Sequence, residues 1–246
     1  MHFTYPFLFC PASDSAGAGG THFFGFGHNF FKWHGDFNTI LFKTPKLSET
    51  DPGIEAHVRT KKLRKWSVIS GIAMKMGNDT VEIGSDKGIL LLNGSEIDSI
   101  KSDSFLVTKS FSGIHNGLIL YDFVVGEDIR LNLKVDTIAG TMYISLNGRY
   151  PHGTVGLLGS PHNPGLITRD GRNMTGYDMN LYAETWKVLD SDPQLFHKQR
   201  VPQPHSRKKR RIRARRGNGF RFITLQETAI ACVALFLISI LKKTSR

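Results

Sequence analysis

Cysteine is almost absent from this sequence of 246 residues, which contains only two, Cys10 and Cys232, near its opposite ends. Such a pair excludes a small scaffold held together by several disulfides, and it excludes a zinc site with four thiolate ligands. Proline is also sparse, at 10 residues against 25 glycines, a balance that favours the many turns of a β-rich domain. A hydrophobic fraction of 40% rules out a chain that is disordered throughout.

The sequence also lacks the short motifs of common catalytic and nucleotide-binding sites. It contains no nucleophile elbow, no phosphate-binding loop and no dinucleotide-binding glycine pattern. His34 and Asp36 would share one face of a strand, but no nucleophile lies near them in the sequence. His22, His28 and His34 have a spacing that fits neither a zinc protease nor a zinc finger. We therefore predict a protein that is not an enzyme, has no small-molecule substrate and needs no metal or other cofactor.

Acidic residues are nearly missing from the last fifth of the chain. Residues 1–199 contain 19 Lys and Arg against 20 Asp and Glu, a net charge of −1. Residues 200–246 contain 13 basic residues and the single acid Glu227, a net charge of +12. The overall charge of +11 therefore belongs to the tail and says nothing about the partner of the folded part.

The basic run RKKRRIRARR at residues 207–216 has three interpretations. It can neutralise nucleic-acid phosphates, but it has no interleaved aromatic residues to stack on bases, so nucleic-acid binding is disfavoured. It can attract anionic lipid headgroups beside a membrane segment. Its first four residues also match the paired basic residues that furin-type proteases cleave, which predicts a processing site at Arg207, Lys208, Lys209 and Arg210.

An apolar stretch follows the basic run. Residues 229–241 carry no charge, and extending the stretch back to Phe222 gives 20 residues that end at Leu241. A helix of that length rises about 30 Å, enough to span the hydrocarbon core of a bilayer. We predict a single transmembrane helix at 222–241, preceded by a basic linker at 201–221 and followed by a short basic tail at 242–246.

Residues 21–200 carry the pattern of a β domain. Short runs rich in β-branched and aromatic residues alternate with Gly, Asn and Asp turn signals, and Ile129, Leu131, Leu133 and Val135 would share one face of a strand. Strands do not alternate with helices, which disfavours a parallel sheet. We predict one helical turn at 179–186 and strands at 39–42, 54–60, 66–76, 88–92, 105–109, 118–125, 129–135 and 141–146.

Five segments of this region follow one another in a distinctive order. They are WHGDFNTILF at 33–42, GIEAHVRTKKLRKWSVISGIAMKMGNDTVEI at 53–83, GTVGLLGS at 153–160, LITRDG at 166–171 and YAETWKV at 182–188. In order and spacing they resemble a von Willebrand factor type D domain, in particular the divergent versions found in predicted proteins of marine microalgae. The likeness covers residues 21–200, about three quarters of the chain.

The resemblance implies an all-β, antiparallel β-sandwich that acts as a non-catalytic module, binding other proteins or matrix glycans in adhesion or assembly. Members of the family usually carry cysteines at the positions of Phe37 and Leu158, and both residues are apolar here, which is consistent with a core that needs no bridge. Animal members bind calcium through an early aspartate and a loop rich in Asn and Asp. This sequence lacks that aspartate, and residues 160–170 offer only Asn163 and Asp170, so we expect no calcium site.

Residues 1–20 form an N-terminal segment with some features of a signal peptide. An apolar run at 3–10 is followed by small residues at 16–18. No Lys or Arg precedes the run, however, and Pro6 interrupts it. The segment is therefore a weak candidate for a signal peptide.

Three glycosylation sequons begin at Asn78, Asn93 and Asn173, all in predicted turns. Asn93 is the best candidate for a glycan, because with Gly94 it predicts a two-residue hairpin turn. Together with the resemblance, the sequons favour a β domain that faces the lumen or the cell exterior. The basic residues ahead of the membrane segment favour the opposite topology, a tail-anchored protein with a cytosolic β domain, and this alternative stays open.

Overall fold

The structure is a computed structural model, and it describes residues 14–46, 48, 52–63, 66–102, 105–111, 117–126, 128–163 and 165–198. Both cysteines, the predicted processing site at 207–210 and the predicted transmembrane segment at 222–241 lie outside the described residues. Within the described part of the chain, no helix is long and apolar enough to cross a membrane.

The described residues form fourteen strands and one short helix. In chain order these are β1 Asp14–Gly19, β2 His22–Phe24, β3 Phe30–Lys32, β4 Asn38–Lys43, β5 Ile54–Leu63, β6 Trp66–Met76, β7 Asp79–Gly84, β8 Leu90–Leu92, β9 Ser95–Ile97, β10 Ile100–Lys101, β11 Phe105–Phe111, β12 Leu118–Val125, β13 Ile129–Asp136, β14 Thr141–Gly148 and α1 Met179–Thr185.

The strands form two antiparallel sheets. The larger sheet has eight strands in the order β10-β11-β12-β13-β14-β1-β2-β3, and the smaller has six in the order β4-β5-β6-β7-β8-β9. Every neighbouring pair in each sheet is antiparallel. The all-β expectation is therefore confirmed, and the chain changes sheet after β3 and again after β9.

One hydrophobic core contains the inner residues of both sheets. On β13 of the larger sheet, Leu131, Leu133 and Val135 are buried and the residues between them are exposed, as the alternation predicts. Ile72 and Ile83 of the smaller sheet are fully buried in the same cluster. Each such side chain stabilises the fold by roughly 1.5–3 kcal/mol, so the shared core holds the two sheets together.

The first strand lies in the interior of the larger sheet, between β14 and β2. Ala16 and Ala18 of β1 are buried, and the ring of Tyr143 lies so close to Gly19 that a Cβ there would be 2.4 Å from a ring carbon. The folded domain therefore includes residues 14–19, which the sequence analysis placed in the N-terminal segment. Signal-peptide cleavage at the small residues 16–18 would cut this interior strand.

Two local predictions from turn and helix signals are confirmed. Asn93 and Gly94 join β8 to β9 with φ angles of 50° and 84°, the positive values that a tight two-residue turn requires. α1 follows Asp178, whose carboxylate caps the helix by accepting the backbone N–H of Asn180 at 2.8 Å.

Residues 189–198, here called the C-terminal strap, return across the outer face of the smaller sheet. Phe196 packs on Ala73 and beside Gly71, where a Cβ would lie 3.2 Å from its ring. The Arg59 guanidinium stacks on the same ring at 4.0 Å. Glu82 Oε2 accepts the backbone N–H of His197 at 2.8 Å. The strap thereby covers part of the outer face formed by β5, β6 and β7.

We expect β1 to be indispensable for the fold. A fragment of residues 21–200 lacks β1, so β2 and β14 lose their ladder partner, and it should fail to unfold cooperatively. A fragment of residues 14–200, which keeps β1, should unfold cooperatively. Thermal unfolding followed by circular dichroism tests this; equal melting temperatures for the 21–200 and 14–200 fragments would contradict the assigned role of β1.

Candidate functional site

The outer edge of β4 is covered by two segments from late in the chain. In the first, the backbone N–H of Lys43 donates to the Val155 carbonyl at 2.7 Å, and Val155 donates back at 2.9 Å. In the second, the N–H of Ile40 donates to the Trp186 carbonyl at 2.9 Å. These bonds satisfy backbone groups that an edge strand otherwise exposes, and they attach the last third of the domain to the smaller sheet.

Gly156 allows the first segment to approach β4. Its φ is 141°, and a Cβ at this position would lie 2.6 Å from both the carbonyl oxygen of Leu41 and the Cα of Phe42. Since both neighbours are backbone atoms, no side chain can be accommodated by a rotamer change. The glycine is therefore required by close backbone contact.

A cleft of about 500 Å³ lies beside this covered edge. Its walls come from β4 and β5, from residues 153–160, from the loop at 163–171, from Trp186 and from Asp192 of the strap. The volume is within the range of pockets that hold small ligands. We therefore take this cleft as the candidate functional site.

A charged cluster centred on Glu55 lies at one side of the cleft. Lys43 Nζ is 2.8 Å from Glu55 Oε2, and Nε2 of the buried His57 is 2.9 Å from Glu55 Oε1. Because an ionised carboxylate only accepts hydrogen bonds, His57 Nε2 carries the proton. The bond from His57 is the largest cause that lowers the pKa of Glu55 to about 2; burial opposes it, and Lys43 adds to the lowering.

A second ion pair joins the loop at 163–171 to the strap. Arg169 Nη1 donates to Asp192 Oδ2 at 2.7 Å, Nη2 donates to Oδ1, and the N–H of Leu189 also donates to Oδ2 at 2.8 Å. The Arg169 hydrogen bonds are the largest cause that lowers the pKa of Asp192 to about 2. The same bonds raise the pKa of Arg169, with a smaller contribution from the charge of Glu55. The two pairs therefore belong to one electrostatic site.

The loop at 160–170, to which the resemblance assigns calcium ligands, does not fit a calcium ion in this chain. Asn163 Oδ1 accepts the N–H of Gly165 at 3.0 Å. Asp170 accepts hydrogen bonds from Thr168 and Arg172. Among the described residues, no group of three or more His, Cys, Asp and Glu side chains is placed to hold a metal ion. The charged side chain that this loop contributes to the cleft is a cation, that of Arg169.

The two positions where the family usually has cysteine are both in packed surroundings. Leu158 is fully buried in the main core. Phe37 is half-buried against that core, with its ring 5.1 Å from the Trp33 ring in an edge-on arrangement. Dispersion and burial thus stabilise the region around these two positions.

All three sequon asparagines are exposed. Asn93 Oδ1 accepts the N–H of Thr80 at 2.8 Å, and its Nδ2 donates to Asp79 at 2.9 Å. Asn173 Oδ1 accepts the N–H of Thr175, the third residue of its own sequon, at 2.9 Å. An amide nitrogen has two hydrogens, so the bond to Asp79 leaves one position on Asn93 Nδ2 for a glycan.

The histidines singled out from the sequence lie on the surface of the described part of the domain. His22, His28 and His34 are exposed, and His22 stacks on Phe30 with ring centroids 5.6 Å apart. Asp36 is also exposed, and its carboxylate accepts the N–H of Lys62 at 3.1 Å. None of these four residues lines the cleft.

Sequence reasoning missed the charged residues of the cleft. The available signal was that Glu55 and His57 lie two residues apart on a strand whose other face, with Ile54, Ala56 and Val58, is apolar. That pattern is typical of a strand with one face in water. The cleft forms beside this polar face because the loop at 163–171 and the strap supply its other walls.

No model of a known protein family matches this sequence, and no curated protein matches it either. The resemblance to a von Willebrand factor type D domain therefore rests on the five sequence segments themselves.

We expect Glu55 to stabilise the fold in a pH-dependent way. Its folded pKa of about 2 lies below its ordinary value of 4.5, so its stabilisation is present above pH 4.5 and is lost as the pH falls towards 2. Glu55→Gln should lower the free energy of unfolding at pH 7 by about 2 kcal/mol, a value that allows for solvent screening of half-exposed Lys43.

Thermal or urea unfolding at pH 7 and at pH 3 measures this effect, and Glu96→Gln on the exposed surface of β9 is the matched control. The difference between wild type and Glu55→Gln should shrink at pH 3, whereas the control should match wild type at both pH values. A difference that stays constant between the two pH values would count against the ion pair as its source.

Proposed function

We propose that this chain is a membrane-anchored, non-catalytic binding module, in which a von Willebrand type D-like β-sandwich faces the lumen or the cell exterior. Its partners are other proteins or matrix glycans. The observation that carries this proposal is that the five segments on which the resemblance rests meet around one strand, β4.

Each of the five segments has a place in this arrangement. The segment at 33–42 contains most of β4, and the segment at 53–83 forms β5, β6 and β7 beside it. The segments at 153–160 and 182–188 supply the two stretches bonded to the edge of β4, and the segment at 166–171 lines the adjoining cleft. Segments that begin more than 100 residues apart thus form one structural unit, as segments of a single domain type do.

The low pKa values of the acids in the cleft support binding more than catalysis. The acids of the cleft, Glu55 and Asp192, are ionised and paired, with pKa values of about 2. A general acid or base works best with a pKa near the operating pH, which is not the case for either carboxylate. Paired groups of this kind suit recognition by fixed charge.

A lumenal or exterior domain is supported by the three exposed sequons. A cytosolic tail-anchored domain is the second candidate, and the eight basic residues between Arg207 and Arg216 favour it, because positive charge flanking a membrane segment tends to stay in the cytosol.

Deleting residues 222–241 should release the protein from membranes into the soluble fraction. Sodium carbonate extraction of membranes from expressing cells provides the measurement, and wild type should stay in the pellet. Replacing the eight basic residues at 207–216 with Gln is the control, and it should leave carbonate-resistant association unchanged, since a basic surface patch gives only salt-sensitive binding. A carbonate-resistant pellet for the deletion variant would refute the anchor.

In a eukaryotic host, at least one of Asn78, Asn93 and Asn173 should carry a glycan, with Asn93 the first candidate. Treatment with an N-glycosidase should increase gel mobility, and Asn93→Gln should reduce the shift. Single Asn→Gln changes at the other two sequons serve as matched controls. A membrane-bound protein whose mobility does not change would favour the cytosolic topology.

A further inference from the structure

The two ion pairs of the cleft have the same orientation relative to solvent. The side chain of Lys43 is 50% exposed and that of Glu55 only 10%, and the side chain of Arg169 is 34% exposed against 9% for Asp192. In both pairs the acid is therefore covered and the base is open. Since all four residues line the cleft, a ligand that enters it meets the cations first.

We propose that this cleft binds an oxyanion group, a sulfate or a carboxylate, carried on a saccharide. The choice of a saccharide as the carrier rests on the proposed function, in which the domain faces matrix glycans. The anion-binding chemistry rests on the cleft itself.

Both cations retain hydrogen-bond donors for a ligand. A Lys ammonium has three donors and an Arg guanidinium has five. Lys43 uses one on Glu55, and Arg169 uses two on Asp192. The acids hold the two cations in place, so little side-chain entropy is lost when an anion binds, and the planar guanidinium suits two-point contact with a sulfate or carboxylate.

The other lining residues suit a sugar ring. Ile40 and Trp186 supply apolar wall, and Ser160 and Asn163 supply a hydroxyl and an amide group. Mixed walls of this type fit sugars, which combine apolar C–H faces with hydroxyl groups. The volume of about 500 Å³ is in the range of pockets that hold small ligands, the size class of one or two sugar rings.

The site also explains why calcium does not fit here. A divalent cation would face Lys43 and Arg169, and the neighbouring carboxylates are already paired with these cations. Like charges repel at this range, so the arrangement that disfavours a divalent cation attracts an anion. His57 lies behind Glu55 and is fully buried, so it acts on a ligand only through Glu55.

Isothermal titration calorimetry of the full chain in a neutral detergent tests the proposal. The positive charge of the run at 207–216 would attract polyanions whatever the cleft does, so every protein in the experiment carries Gln at its eight basic positions. The probes are a sulfated tetrasaccharide, a tetrasaccharide of uronic acids, a neutral tetrasaccharide and a tetraglutamate peptide. We expect binding of at least one acidic saccharide, which identifies the group recognised, and no binding of the neutral one.

Lys43→Gln and Arg169→Gln should each weaken binding about tenfold, because each removes a hydrogen bond between charged groups. Lys43→Arg should keep most of the affinity. Lys134→Gln removes an exposed cation of the larger sheet and should bind like the parent protein. Thermal unfolding identifies any variant that fails to fold, and half-exposed Lys43 is the safer position.

Three results would overturn the proposal: no binding of either acidic saccharide, equal affinity in the parent and the Lys43→Gln variant, or binding of tetraglutamate alone. If the protein is membrane-bound and glycosylated, any of these results would refute the anion site but would not refute the proposed function. Loss of membrane association or of the glycan shift would instead affect the proposed function and not the cleft.

Discussion

The backbone hydrogen bonds along the outer edge of β4 hold the last third of the domain to the rest of it. An edge strand attracts pairing partners, and here two segments from the same chain take that role, one ending in Leu158 and one starting at Trp186. The contact depends on Gly156, because its neighbours across the gap are backbone atoms that cannot move aside. The cleft, the loop that lines it and the start of the strap all follow from where these two segments attach.

In the cleft, burial and neighbouring cations have opposite effects on the pKa of the two acids. Burial raises the free energy of an ionised acid, and Glu55 and Asp192 remain ionised because each has a cation and further donors at hydrogen-bond distance. The acids are covered on one side by the sheet and the strap, so their partners point outwards. The cluster contains two positive and two negative side chains, but the positive ones are the more exposed to solvent.

Strands with strong alternation or many β-branched residues could be predicted from the sequence, and so could the Asn93 turn and the helix capped by Asp178. β1 could not, because its sequence DSAGAG has small residues of low strand propensity, and only the pairing partners on both sides hold it extended. The charged cleft was missed for a different reason. On its own, β5 has the pattern of a strand with one face in water. Glu55 becomes part of a cleft only because the loop at 163–171 and the strap, more than 100 residues later in the chain, form other walls of it.

The strap has a mechanical consequence. The carbonyl of Lys198, the last described residue, accepts a hydrogen bond from Arg59 at 2.8 Å, and the next residue inwards is bonded to Glu82. A force applied to the chain from residue 199 onwards would therefore break these side-chain hydrogen bonds one after another. It would not have to break all the hydrogen bonds of a paired strand at the same time. If peeling continues to Asp192, it separates the carboxylate from Arg169 and removes one wall of the cleft. A pull applied beyond the strap and a ligand held in the cleft would thus act on the same ten residues.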